Sequence, residues 1–294
     1  MSCNCGFQTY DINGSGGVVC GGVATIAQSP NRYSETSSGG VVCGGVSTLL
    51  TNQPFDGFSG IFHLIEDGSV DDYHDSAFRA DGVAGTSAYC PTKTSSNLYS
   101  FSQSFDGNDY IQIPIDQTNA NYSVSFWFKI TGRFRDRILF SRGMTDKANG
   151  YGCSIAVGHT NVGSFDEPES NRLFARVTVE GLTNWKTYRL QSSEDIPNDC
   201  WHHAALVYTS GVNAKLYLDG ELTDTETITE TNLIPADNYI QIGRKDNQEF
   251  AEGEIQEVRF TNQALTADWI ETEFLNLCSA ATYDEGEEES ATYS

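Results

Sequence analysis

Tyr122-Ser123-Val124-Ser125-Phe126-Trp127-Phe128-Lys129-Ile130 decides how the chain folds. Tyr122, Val124, Phe126, Phe128 and Ile130 recur with period two, so an extended strand places a wholly apolar row on one face. Aromatic and β-branched residues suit that pleated geometry. Outward from this stretch, the same alternation returns in 173–179, 204–208, 214–218, 239–243 and 255–260. Ser210-Gly211 and Asp219-Gly220 supply turns between neighbouring runs. Many short strands without interleaved helices predict an all-β, antiparallel two-sheet sandwich.

One helix is expected, at the end of this series. Thr266 is placed to cap it, with Leu265 and Ile270 as a hydrophobic staple. Ile270, Phe274 and Leu277 then share one face, which should lie against the sandwich. Beyond Cys278 the chain turns polar, and Asp284-Glu285-Gly286-Glu287-Glu288-Glu289 reads as a solvated tail.

The first fifty residues follow a different logic. Gly16-Gly17-Val18-Val19-Cys20-Gly21-Gly22 recurs 23 residues later as Gly39-Gly40-Val41-Val42-Cys43-Gly44-Gly45. Each copy is a short β-branched strand bracketed by glycine pairs, and one copy cannot bury both its faces alone. Val18, Cys20, Val41 and Cys43 therefore mark an attachment or oligomerisation arm. The expected organisation is a glycine-rich N-terminal β arm over 1–57, a sandwich over 58–278 and an acidic tail over 279–294.

The 294 residues carry 17 Lys plus Arg against 40 Asp plus Glu, a net charge of −23. Such a surface repels nucleic acid and anionic membrane, and no apolar run is long enough to span a bilayer. The opening residues Met1 to Gly6 lack a basic and an apolar region, so no ordinary secretory leader is expected. Eight cysteines are scattered at spacings that match no common zinc pattern, and most are expected to be reduced or buried thiols.

Several ordered motifs carry a family resemblance. They are Ser104-Phe105-Asp106-Gly107-Asn108-Asp109-Tyr110-Ile111-Gln112-Ile113-Pro114, the strand from Ser123 to Phe128, Asp199-Cys200-Trp201-His202-His203, Leu216-Tyr217-Leu218-Asp219-Gly220, and Gly253 to Phe260 followed by Ala264 to Ile270. Together they resemble concanavalin A-like, laminin G-like domains, of the type found next to DUF2341 modules in bacterial and phage surface proteins. The resemblance covers about Gly60 to Leu277. It implies a jelly roll of two curved sheets with a concave face and a loop rim, whose usual work is to bind glycans or other proteins.

Site residues follow on two lines. In pentraxin-like relatives of this fold, a carboxylate and amide loop holds calcium. The resemblance places Asp246 and Asn247 there, with Asp146 facing them and Asp109 as a weaker candidate, although Lys245 stands where a ligand carboxylate is expected. Separately, Trp127, Tyr217 and Phe174 alternate out of phase with their strands' main apolar rows, which suits stacking against sugar rings.

Enzymatic readings are disfavoured. Retaining glycoside hydrolysis needs two carboxylates about 5–5.5 Å apart. The nearest run, Glu254-Ile255-Gln256-Glu257, should send its two acids to opposite faces of a strand. Adjacent His202 and His203 should likewise diverge, one packed and one at the surface. No nucleophile elbow or phosphate loop is present. The expected function is non-enzymatic and lectin-like, in a homo-oligomeric phage or virus particle component that binds a glycan or surface protein. A bacterial extracellular adhesin is the alternative, and a glycosidase with unusual carboxylates a third.

Overall fold

The computed structural model describes residues 58–67, 73–77, 80–96, 98, 101–115, 121–131, 137–142, 152–158, 171–180, 185–231, 239–245 and 249–280. All of them lie in the unit Phe55–Ser294. The arm residues Val18, Cys20, Val41 and Cys43, and the acidic run from Asp284, lie outside the described residues.

In chain order the strands are β1 (Phe58–Phe62), β2 (Val83–Ala84), β3 (Thr92–Ser95), β4 (Phe101–Asp106), β5 (Ile111–Pro114) and β6 (Tyr122–Ile130). Next come β7 (Arg137–Arg142), β8 (Gly152–Gly158), β9 (Arg172–Glu180), β10 (Trp185–Asp195), β11 (His202–Thr209) and β12 (Asn213–Leu218). The series ends with β13 (Glu221–Thr227), β14 (Tyr239–Ile242), β15 (Arg244–Lys245), β16 (Glu249–Phe250), β17 (Glu252–Thr261) and the helix α1 (Ala267–Ala280). The first sheet has eight strands, ordered β13-β12-β11-β6-β17-β4-β3 with β1 also on β17. The second has seven, ordered β10-β9-β8-β7-β14-β5-β2. All strand pairings among the described residues are antiparallel, which makes the fold the all-β jelly-roll sandwich expected from the alternating strands.

Between the sheets lies one apolar core. Tyr122, Val124, Phe126, Phe128 and Ile130 of β6 all enter it, facing Ile155, Val157, Ala175 and Val177 of the second sheet. Burying each large side chain contributes about 1.5–3 kcal/mol. Among the cysteines, Cys153 is a buried free thiol pushed up to about 12 by burial, whereas Cys200 is disulfide-bonded.

The helix closes the outer face of the first sheet. Thr266 caps it as expected, its hydroxyl accepting the Trp269 amide at 3.2 Å. Ile270 is buried against Ala205, Val207 and Tyr217, and Phe274 stacks on Trp127 at 5.5 Å. A charged network runs beneath it. Glu273 accepts from Ser125 (2.9 Å) and Arg259 (3.0 Å), Arg259 also binds Glu257 (2.9 Å), and Glu257 binds His63 (2.7 Å). Burial pushes the Glu273 carboxyl up, but the Arg259 guanidinium, His203 and the Ser125 hydroxyl together outweigh it and hold the group below the ordinary range.

A bulge in β17, with Glu257 at φ +55°, changes one expectation. Ile255 and Val258 both enter the core. The inserted residue turns Glu257 outward to Arg259, on the same side as Glu254, which pairs with Lys129 at 2.5 Å. Strict alternation had put the two acids on opposite faces.

Because the Glu273 carboxyl lies low in the folded state, its contribution is present above the ordinary carboxylate range and is lost as pH falls through the folded value. Glu273→Gln is expected to cost about 3 kcal/mol at neutral pH. The variant should also show less acid destabilisation than the parent in urea titrations at pH 7 and pH 3.

Candidate functional site

Strand alternation writes a polar row across the outer face of the second sheet. Gln112, Gln241, Ser141, Ser154, Arg176 and Arg189 stand opposite one another in successive strands β5, β14, β7, β8, β9 and β10. Their strand neighbours Ile111, Ile113, Ile240, Ile242, Ile155 and Leu190 point into the core. The centre of the row is buried, while Gln112 is half-buried and Arg189 exposed. Hairpin β15–β16 folds back against β7, and the Arg244 carbonyl accepts the Ser141 hydroxyl at 2.7 Å.

At the β2–β5 edge of this face the structure builds an aromatic and cationic cluster. Ala84 pairs with Ile111, so the next residue, Gly85, sits beside Tyr110. A Cβ on Gly85 would lie 2.7 Å from Tyr110 Cε1 and 2.7 Å from Tyr89 Cβ, so only glycine lets the two tyrosines approach this closely. The Tyr110 amide donates to the Tyr89 carbonyl at 3.2 Å. Tyr89 is 45 % exposed and Val83 41 %. Over the Tyr110 ring, 3.4 Å from its centroid, lies the Arg244 guanidinium. With its amide oriented to satisfy both groups, Gln241 Oε1 accepts from Arg244 Nε (3.2 Å) and Nη2 (2.5 Å). Among the described residues Arg244 forms no ion pair with a carboxylate. The cluster offers a π face, a planar cation and the Gln112 amide to a ligand.

Tyr110 is positioned by the turn before it. Asp109 Oδ2 accepts the Asp106 amide at 2.9 Å, and Asn108 N donates to Asp106 Oδ1. Burial, with the adjacent Asp106 charge adding to it, pushes the Asp109 carboxyl up to about 6.

The sequence-predicted platforms lie elsewhere and are closed. Trp127 is 1 % exposed beneath α1, Tyr217 is 1 % exposed against Ile270, and Phe174 is 2 % exposed with Ile138 and Ala156. No ring face of these three is open to a sugar: the helix covers Trp127 and Tyr217 on the first sheet, and on the second Phe174 is enclosed with Ile138, Ala156 and the Arg176 guanidinium. Asp109 is occupied in its own turn and is 4 % exposed, so its carboxylate is a structural group. Asp146, Asp246 and Asn247 lie outside the described residues. Among the described residues no three His, Cys, Asp or Glu side chains group as a metal centre. His202 and His203 diverge as expected: His202 bonds Asp219 at 2.8 Å, and His203 is fully buried against Trp127.

Tyr110, Gln112 and Arg244 were within reach of the sequence. Ile111 and Ile113 in the core force Tyr110 and Gln112 outward. Tyr89 carries no such signal, since only folding brings it to Gly85.

Between about pH 4 and pH 6 the folded chain holds a proton on Asp109 that the unfolded chain has released, so this group makes stability fall as pH rises through that window. Asp109→Asn keeps the acceptor for the Asp106 amide and removes the titration. Its stability, from denaturant midpoints, should vary less between pH 4.5 and pH 7 than that of the parent.

Comparison with known proteins agrees with this architecture. Domain 4 of AbnA, an extracellular GH43 arabinanase from Geobacillus stearothermophilus solved with arabinotriose, is 18 % identical with a TM-score of 0.53, covering 74 % of this chain and 97 % of that one. The binding domain of Paraclostridial Mosquitocidal Protein 1 is 14 % identical with a TM-score of 0.57, over 76 % of this chain and 52 % of that one. The ligand-binding domain of botulinum neurotoxin serotype D, solved with N-acetylneuraminic acid, is 16 % identical with a TM-score of 0.54, over 75 % and 51 %. This chain thus spans about half the length of the two toxin domains. No curated protein sequence matches it. A laminin G family model, described as the concanavalin A-like lectin/glucanases superfamily, matches residues 105–271, more than half of the sequence. With two antiparallel sheets and those residues matched, the chain belongs to the concanavalin A-like lectin/glucanases superfamily.

Proposed function

We propose that this protein is a non-enzymatic, lectin-like module that binds glycan at the β2–β5 edge of its second sheet. The observation that carries the reading is the exposed Tyr89 ring beside the stacked Tyr110–Arg244 pair. Sugar rings present C–H faces to aromatic side chains and hydroxyls to amides and guanidinium groups, and this cluster supplies both. The arabinotriose and N-acetylneuraminic acid complexes of proteins with the same fold support the choice of glycan over other ligands.

The non-enzymatic part rests on the use made of the neighbouring acids. Glu257 and Glu273 are locked around Arg259 beneath the helix, Glu254 is paired with Lys129, and Asp106 and Asp109 hold a turn. Carboxylates held in ion pairs are poor proton donors, and Asp109, although raised, is buried and bound within its own turn.

The setting we propose is an external assembly, a phage or virus particle, with the repeated Gly-Gly-Val-Val-Cys-Gly-Gly arm joining subunits. A bacterial surface adhesin is the competing setting. Calcium enters the proposal through Asp146, Asp246 and Asn247.

On a glycan array, the full chain should bind a defined set of sugars. Tyr89→Ala should weaken that binding by about tenfold, the value of one stacked aromatic contact. Trp127→Ala should instead lower stability by about 3–5 kcal/mol, since it empties a buried site. Retained affinity in Tyr89→Ala would sink the site. Chelation by EDTA tests the calcium component, and co-sedimentation of the chain without residues 1–57 with particles tests the arm.

A further inference from the structure

Ion pairing takes up six of the described cations of the sandwich, while Arg142 is buried against the Tyr122 ring and Arg244 lies at the rim of the second sheet. Among the described residues, Lys93 faces Asp67, Lys129 faces Glu254, Arg137 faces Glu252, Arg172 faces Asp195, Lys186 faces Glu230, and Arg259 faces two glutamates. Arg244 has no carboxylate partner among them, in a chain with 40 acidic residues. Its guanidinium is nevertheless held in place, flat on Tyr110 and anchored through Nε and Nη2 to Gln241. A cation fixed by stacking and by a neutral amide keeps its full charge and one donor edge for something outside the chain.

The charge of the ligand follows. Arg176 and Arg189 stand in the outer polar row of the second sheet, the face against which the Arg244 hairpin folds, and Arg259 alone of the described arginines is on the first sheet. An extended polyanion would meet repulsion from the net charge of −23. A single carboxylate on an otherwise neutral ring would not, and the exposed Tyr89, next to the Tyr110 on which Arg244 is stacked, gives such a ring a surface to lie on. Building on the glycan reading above, we infer that this site selects acidic sugars, with the carboxylate of a sialic or uronic acid on Arg244 and the ring against Tyr89.

The test compares matched pairs: sialyllactose against lactose, and a glucuronate-terminated disaccharide against its glucose counterpart, by calorimetry with the full chain. The acidic member of each pair should bind about ten- to hundredfold more tightly, the effect of one charge-assisted guanidinium–carboxylate contact. That preference should shrink between 50 mM and 500 mM salt, as expected for an exposed charge contact. Arg244→Gln should erase the preference, and Arg244→Lys, which keeps the charge and loses the fork, should restore part of it. Circular dichroism of both variants checks that the fold is intact. Equal binding of acidic and neutral sugars, or a preference that survives Arg244→Gln, overturns this inference and leaves the glycan reading standing. Binding of neither sugar class, or of an oligoglutamate peptide alone, overturns both.

Discussion

Both faces of β6 must be kept from water, and the rest of the sandwich is arranged around that constraint. Its inner row, Tyr122 to Ile130, is satisfied by the second sheet. Its outer row carries Ser125 and Trp127, and Trp127 is too large and apolar to leave exposed without cost. Helix α1 answers this by bringing Phe274 onto Trp127 and Glu273 onto Ser125 and Arg259. A buried carboxylate is tolerated there only because a guanidinium and a hydroxyl replace its water. Once the helix occupies the first sheet, the glycan site proposed above falls to the edge of the second.

Charge follows the same division. Most of the described cations are consumed in pairs with nearby acids, and surface pairs of that kind contribute little to stability. Their effect is to leave few positive groups available to a ligand. Among the described residues Arg244 is oriented by a π system and an amide rather than by a carboxylate. Gly85, which has no side chain of its own, determines whether the tyrosines beside that cation stand close enough to act together.

The legible part of the fold was the part with strong alternation. Strands β6, β11, β12 and β17 and the capped helix stand where their apolar spacing placed them. Strand β10 is harder to read: it lies at the edge of its sheet, Leu190 is its described residue in the core, and the polar sequence around it resembles a loop. The Glu257 bulge is invisible to any periodic reading, since one inserted residue reverses the faces after it. Trp127 and Tyr217 were correctly seen to point away from the core, but pointing outward is not exposure when a helix arrives from more than forty residues later in the chain.

Local residue order thus determined the all-β class, the two antiparallel layers, the capped terminal helix and the superfamily, because period, turn and cap signals are written within a few residues of where they act. Only the tertiary structure decided that the helix seals the outer side of the first sheet and that exposure on the second is left to its rim. It also decided that Tyr89, Tyr110, Gln241 and Arg244 meet at one edge. These depend on approaches between segments far apart in sequence, and on a glycine whose importance lies in the space that its missing Cβ leaves to two other residues.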